Sequence, residues 1–238
     1  MNDQNIILVT GNLSSGKSSL INALLGKHVL PVKALPNTLI RTEINFSNEN
    51  KIIAYRKDDN KTVFKYSSDE ECRNILEKLY SEDIVEIENG LMSQYAKVCV
   101  FGLFNVLEKG GCFIETFYNE PTQKFKKEPL VSDVNKSSII VYCMNACQIL
   151  ASTDRDMLDY FRENSKNVAV VVTHTDLLEK EEIHKAKAWV TTNLSDYISS
   201  DHICFVDSTT ALKSKNQDSL KGYLASGMLD LEKILPLK

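Results

Sequence analysis

No run of apolar residues approaches the length of about eighteen that a helix needs to cross a bilayer, so an α-helical membrane span is excluded. The opening MNDQN and the five-residue apolar run after it are too short and too uncharged for a secretory signal. CxxC pairs and histidine spacings suited to zinc are missing as well. Basic charge is not in excess: 28 Lys and Arg stand against 32 Asp and Glu, a formal net charge of −4. Nucleic acid is therefore not expected as the main partner. Internal repeats, low-complexity tracts and linkers are also absent.

The 6 cysteines, at 72, 99, 112, 143, 147 and 204, mostly sit inside apolar runs, and buried thiols in a reducing cytosol account for them. The expectation is a soluble, cytoplasmic protein, with peripheral contact at a membrane left open. A chain of 238 residues with 43% apolar content can bury a sizeable core, so residues 1–238 are expected to form one domain.

Ile6 to Thr10 is a continuous apolar run closed by Gly11, the pattern of a strand buried on both faces of a parallel sheet. A helix is predicted over Lys17 to Leu25, with Leu20, Ile21, Leu24 and Leu25 on one face and Gly26 as its stop. Strands are predicted over Thr38–Phe46, Lys51–Tyr55 and Lys61–Tyr66, and a capping box of Ser67, Ser68 and Glu71 starts a helix over 69–80. Val98–Phe101 and Cys112–Thr116 read as further strands. Three strand–helix units then follow: Ile139–Met144 with Asp154–Arg162, Val168–Thr173 with Glu181–Tyr197, and His202–Val206 with Leu220–Ile234. This alternation predicts an α/β fold with a mainly parallel sheet and helices on both faces.

Gly11-Asn12-Leu13-Ser14-Ser15-Gly16-Lys17-Ser18 is a complete G-x-x-x-x-G-K-[ST], placed between a strand and a helix as that motif requires. Its glycines let successive backbone N–H groups turn inward onto phosphate oxygens, and the following helix presents its positive N-terminus. Lys17 is expected to bridge the β- and γ-phosphates, Ser18 to ligate Mg²⁺, and Ser19 to reach the α-phosphate. The motif defines a P-loop NTPase three-layer sandwich.

GKSSLINALLG continues beyond the generic motif and resembles the GTPase domain of the dynamin superfamily, especially bacterial dynamin-like proteins. LPVKALPNTLIRTEI, residues 30 to 44, looks like that family's first switch, which makes Thr38 the residue that senses the γ-phosphate and Mg²⁺. VVVTHTDLL, residues 170 to 178, resembles its base-recognition element, and DSTTALKS, which contains Ser208, the last such element. The resemblance implies an enlarged G domain, with a hairpin and helix inserted at about 45–100. It also implies GTP or GDP with Mg²⁺, association of two copies across the nucleotide face, and a membrane or another dynamin-like protein as partner. Candidate catalytic residues are Ser14, Lys17 and Thr38; Thr173, His174, Asp176 and Ser208 are candidates for the base. A carboxylate at Asp176 accepts two hydrogen bonds from guanine but meets a lone pair on adenine, so it selects guanine. His174 replaces the family's lysine, whose stem covers the base, so weakened but guanine-selective binding is expected.

The family's third element reads D-x-P-G, whereas this chain has Cys112-Phe113-Ile114-Glu115-Thr116-Phe117-Tyr118 in that place. Glu115 is the candidate metal ligand beside Ser18 and Thr38; read blandly, it is a solvated residue at a strand edge. Phe117 and Tyr118 lack the backbone freedom of glycine, so GTP binding is expected to outlast hydrolysis, which is slow or partner-stimulated. Arg41 and Arg155 are candidate transition-state arginines, with surface ion pairing as their ordinary role. Lys124, Lys126 and Lys127 form a small basic cluster. A non-hydrolysing pseudo-GTPase binding module and a P-loop ATPase or kinase remain the alternative readings.

Overall fold

The computed structural model describes residues 4–32, 40–87, 90–116, 128–164 and 166–237. Thr38, Phe117, Tyr118 and the Lys124, Lys126 and Lys127 cluster lie outside the described residues. The chain opens with β1 (Asn5–Gly11) and α1 (Lys17–Leu25), followed by β2 (Thr42–Phe46), β3 (Lys51–Arg56), β4 (Lys61–Lys65) and α2 (Asp69–Glu82). The hairpin β5 (Ile84–Ile87) and β6 (Gly90–Ser93) leads to β7 (Tyr95–Gly102), β8 (Gly111–Glu115) and α3 (Glu128–Lys136). Then come β9 (Ile139–Asn145), α4 (Ser152–Glu163), β10 (Val168–Thr173), α5 (Lys180–Leu194) and β11 (Ile203–Phe205). The last helices are α6 (Ser208–Asn216), α7 (Leu220–Ala225) and α8 (Met228–Ile234).

One nine-stranded sheet runs in the order β11-β10-β9-β1-β8-β2-β7-β3-β4. Its first five strands are all parallel, so their carboxyl ends share one edge, where ligands bind in such sheets. Beyond them β2 runs antiparallel to β8, β7 parallel to β2, and β3 and β4 antiparallel to their neighbours. Alternation along β1 sends Ile7 and Val9 to one core with Leu20 and Leu24 of α1, and Leu8 to another with Val134, Leu158 and Val190 of α3, α4 and α5. Helices therefore cover both faces, giving the three-layer α/β sandwich.

Helix α1 has the predicted bounds, ended by Gly26 at φ 67. In α2 the capping box forms: Ser68 Oγ accepts from Glu71 N at 3.1 Å and Glu71 Oε2 from Ser67 N at 2.7 Å. The single helix expected over Leu220–Ile234 is two, because Gly227 turns left-handed at φ 74, where a Cβ would lie 2.1 Å from Phe205 O. Helices α3 and α6 and the β5–β6 hairpin were not foreseen: α6 is polar with little apolar periodicity, α3 is only 9 residues long, and the hairpin strands have 4 residues each. Cysteines 72, 99, 112, 143 and 204 are buried and 147 is exposed. Burial pushes the five buried thiols up to about 12, which leaves them unreactive at neutral pH.

Candidate nucleotide site

Between β1 and α1 the backbone curls through three left-handed residues: Gly11 at φ 146, Ser14 at φ 56 and Gly16 at φ 76. Only glycine fits at position 11, since a Cβ there would lie 2.3 Å from Cys143 O on the neighbouring strand. Gly16 caps α1 without a side-chain bond, so the first helical N–H groups have no capping side chain as acceptor. Lys17, 7% exposed, curls over the loop and donates from Nζ to Asn12 O at 2.7 Å and Gly11 O at 3.2 Å. Burial lowers its pKa and the Glu115 carboxylate opposes that shift. An ammonium so placed is screened from water and ready to exchange backbone carbonyls for phosphate oxygens.

Ser18, on the first turn of α1, donates from Oγ to Glu115 Oε1 at 2.5 Å. Glu115 closes β8 beside Val9 of β1 and is 2% exposed; the solvated strand-edge reading is thereby corrected. Burial raises its pKa, against the Ser18 hydrogen bond and the charge of Lys17. Its Oε2 is buried without a hydrogen-bond partner among the described residues. A hydroxyl and a carboxylate with one oxygen to spare are hard donors of the kind Mg²⁺ takes, so the residues present fit that ion. Among the described residues no group of three His, Cys, Asp or Glu gathers to hold a metal alone. Protein-bound Mg²⁺ ordinarily completes its shell with phosphates and water.

The loop that follows β10 packs on the loop between β1 and α1. Thr173 Oγ1 lies 2.8 Å from Ser15 O and 3.1 Å from Met144 O, and His174 Nδ1 is 3.0 Å away. The hydroxyl has one proton, which a carbonyl takes, so His174 donates from Nδ1–H to Thr173. His174 is left-handed at φ 56, and its ring stands over Gly16, where a Cβ would be 3.0 Å from Cε1. Asp176 is exposed and its carboxylate has no partner among the described residues. Helix α5 is capped by its own Glu182, which accepts from Glu179 N at 2.8 Å, so Asp176 takes no part in capping it. Ser208 opens α6 next to this loop, since Val206 N donates to Val172 O at 2.8 Å. Its buried Oγ also lacks a partner among the described residues. The cradle, Ser18, Glu115, Thr173, His174, Asp176 and Ser208 thus share one edge of the sheet. Leu13 and Ser19 are half-buried within it.

Residues that sequence reasoning missed hold the loop in place. Asn12 Nδ2 donates to Thr153 Oγ1 and Asp154 Oδ1, at the start of α4, and Asn145 Nδ2 lies 3.5 Å from Ser14 O. The nearest signal was Asp154 at the head of a predicted helix, a position that reads as a cap. Arg41, considered as a transition-state arginine, is instead bidentate to Asp133 of α3, at 2.6 and 2.7 Å, and also pairs with Glu43. Asp133 is 3% exposed and Arg41 half-buried, so this is no surface ion pair. Arg155 is exposed.

A glycine-rich β1–α1 turn at the edge of a parallel sheet, with lysine and hydroxyl at its helix end, defines a P-loop domain. The chain belongs to the dynamin family, whose family model matches residues 7–175. It is 26% identical over 206 residues to dynamin-like protein 1 of Campylobacter jejuni, covering 75% of this chain and 28% of that protein. To dynamin-like protein A of Bacillus subtilis it is 25% identical over 176 residues, covering 74% and 14%. Among solved structures it resembles an oligomerised bacterial dynamin pair described as a mechanism for long-range sensing and tethering of membranes: TM-score 0.72, 19% identity, 97% of this chain and 37% of that one. Era of Aquifex aeolicus bound to GDP and AlF4⁻ matches with TM-score 0.51 at 15% identity, over 97% and 56%. The chain spans less than half the length of these dynamin relatives. No helix among the described residues is long and apolar enough to cross a membrane.

Proposed function

We propose that residues 1–238 act as one G domain that binds GTP with Mg²⁺, hydrolyses it slowly or on partner contact, and associates across the nucleotide face when loaded. The observation that carries this is the Glu115 carboxylate, buried against Ser18 beside Lys17 with one oxygen unpartnered among the described residues. A charge-bearing group is not kept in such a place without compensation, and Mg²⁺ with a triphosphate supplies it. Ser18, Glu115 and Thr38 would hold the ion, which supplies neutralisation of charge on the β- and γ-phosphates. The loop amides and Lys17 bind and orient the phosphates, and Ser14 stands at the exposed crest of the loop. Asp176 accepts from the guanine edge, the His174 ring covers the base, and Ser208 lies alongside.

Slow turnover follows from the third element: a glutamate replaces aspartate, and Phe117 and Tyr118 replace proline and glycine. Each positioning group missing from phosphoryl transfer lowers the rate by orders of magnitude. A non-hydrolysing binding module is the second reading, favoured by the same substitutions and by His174. The dynamin pair among the structural relatives supports self-association and peripheral action at a membrane.

Titration of fluorescent GTP and ATP with Mg²⁺ tests the reading, followed by phosphate release measured against protein concentration. Selective GTP binding with slow, concentration-dependent release is expected. Binding without any release establishes the second reading, and an ATP preference or no binding overturns both.

A further inference from the structure

On one face of β3, β4 and β7 the registers align three rows of side chains. Cys99, Ile53 and Val63 make the middle row; Phe101, Lys51 and Lys65 flank it on one side and Lys97, Tyr55 and Lys61 on the other. Successive rows are two residues apart along the strands, about 6.8 Å. The opposite face of these strands, with Ile52, Ala54, Val98 and Val100, belongs to the core beside Leu76 of α2. Ile53, Tyr55, Val63 and Phe101 belong to neither core cluster, and Val63 is 52% exposed. Cys99 is buried with its thiol on Glu43 at 3.0 Å, so the open part of the middle row is Ile53 and Val63.

The flanks are positive. Lys51 Nζ stands 5.6 Å from the Phe101 ring centroid and Lys97 Nζ 5.2 Å from that of Tyr55, so both ammonium groups lie down on the sheet. Lys51 and Lys97 pair with Glu49 and Glu43. Lys61 and Lys65 are exposed and have no ion pair among the described residues. Counted over these rows alone, four lysines stand against the two glutamates Glu43 and Glu49, a positive excess in a chain of net charge −4.

We propose that this sheet face docks an acidic amphipathic helix of a partner protein, laid across the strands. Two lysine-bearing rows about 14 Å apart, with an apolar row between them, match a helix of about 10–12 Å diameter whose apolar stripe has acidic residues on both sides. Three strands span about 10 Å, roughly two helical turns. The turn between β3 and β4 carries exposed Asp58 and Asp59 beyond the row of Lys97, Tyr55 and Lys61; an anionic bilayer or a nucleic-acid backbone covering the whole face would meet them, whereas a helix centred on the middle row would not. The surface lies away from the phosphate loop, and its test does not depend on the nucleotide reading.

The probe is a short, stapled, fluorescein-labelled helix with a leucine stripe flanked on both sides by glutamates; its control has lysines in place of the glutamates. Fluorescence anisotropy with the full chain is expected to show binding of the acidic helix only, weakening with salt. Val63→Glu and the double variant Lys61→Glu/Lys65→Glu, all exposed positions, are each expected to weaken it about tenfold while leaving the melting temperature unchanged. No binding, equal binding of both helices, or indifference to these variants overturns the proposal. Variant-sensitive binding to phosphatidylserine vesicles in place of the helix, or variant-sensitive self-association in sedimentation, assigns the face to a bilayer or a second copy and overturns it equally.

Discussion

Asn12 of the phosphate loop and Asp154 of α4 are joined side chain to side chain, Nδ2 to Oδ1 at 2.9 Å, although 142 residues separate them. The same carboxylate accepts from Tyr142 OH at 2.8 Å and from Ala151 N at 2.9 Å. Asp154→Ala removes the acceptor these three donors share, in a partly buried place, and leaves Asn12 with Thr153 Oγ1 alone. A loss of about 2–4 kcal/mol in unfolding free energy is expected in urea titrations, together with weaker nucleotide binding. Asp154→Asn, which keeps an acceptor, is expected to lose less.

Glu115 makes stability depend on pH. Burial raises its folded pKa above the ordinary 4.5, so the folded chain holds a proton that the unfolded chain has released. Stability is therefore greatest below the unfolded pKa and falls as pH rises from about 4.5 to the raised value, flattening above it. Asp154 is shifted upward by burial as well and acts with the same sign from its ordinary 3.8. Glu115→Gln is expected to flatten the Glu115 part of this slope and to stabilise the nucleotide-free chain at pH 8, measured by thermal melts across pH. The same variant is expected to lose Mg²⁺-dependent nucleotide binding.

Gly11→Ala tests the curl of the phosphate loop. The added methyl meets Cys143 O at 2.3 Å, and φ 146 is unfavourable for any L side chain. Destabilisation of more than about 3 kcal/mol is expected by denaturant unfolding, since the obstructing Cys143 carbonyl is strand backbone that cannot turn aside.

Arg41→Ala leaves the Asp133 carboxylate buried beside an empty bidentate socket. A loss of about 3–5 kcal/mol is expected, with turnover per folded molecule little changed. A large fall in turnover without loss of stability would return Arg41 to the chemistry.

Lys17→Ala and Asp176→Asn separate the two ends of the ligand. The first is expected to abolish binding of GTP and ATP alike in fluorescence titration, because it removes the charge that faces the β- and γ-phosphates. The second is expected to lower the preference for GTP over ATP at least tenfold through the lost guanine contact. Equal discrimination before and after would reduce Asp176 to a surface residue.

Much of this was legible in the sequence, because buried parallel strands and the phosphate loop are written in local pattern. The apolar run before Gly11, the bounds of α1 and Val168–Thr173 follow from neighbours in the chain. Contacts set by strand order were not legible. In the sequence Glu115 reads equally as a metal ligand or as a solvated strand-edge residue, until β8 is placed between β1 and β2 and Ser18 is found bonded to it. Arg41 reads as a surface cation until α3 brings Asp133 to it, and nothing near Asn12 announces Asp154. Helix α6 was hidden because TTALKSKN offers few apolar positions; Asp207, which accepts from Thr210 N at 2.8 Å, was its only local mark.

The threonine hydroxyl that reaches Ser15 O and the imidazole resting on Gly16 weld the two recognition loops into one stiff corner. A ligand long enough to touch both loops therefore finds their spacing already fixed and loses little freedom in matching it. On the proposed reading, guanosine and pyrophosphate added separately are each expected to find half a grip, and only their covalent union is expected to gain the full advantage of that rigidity.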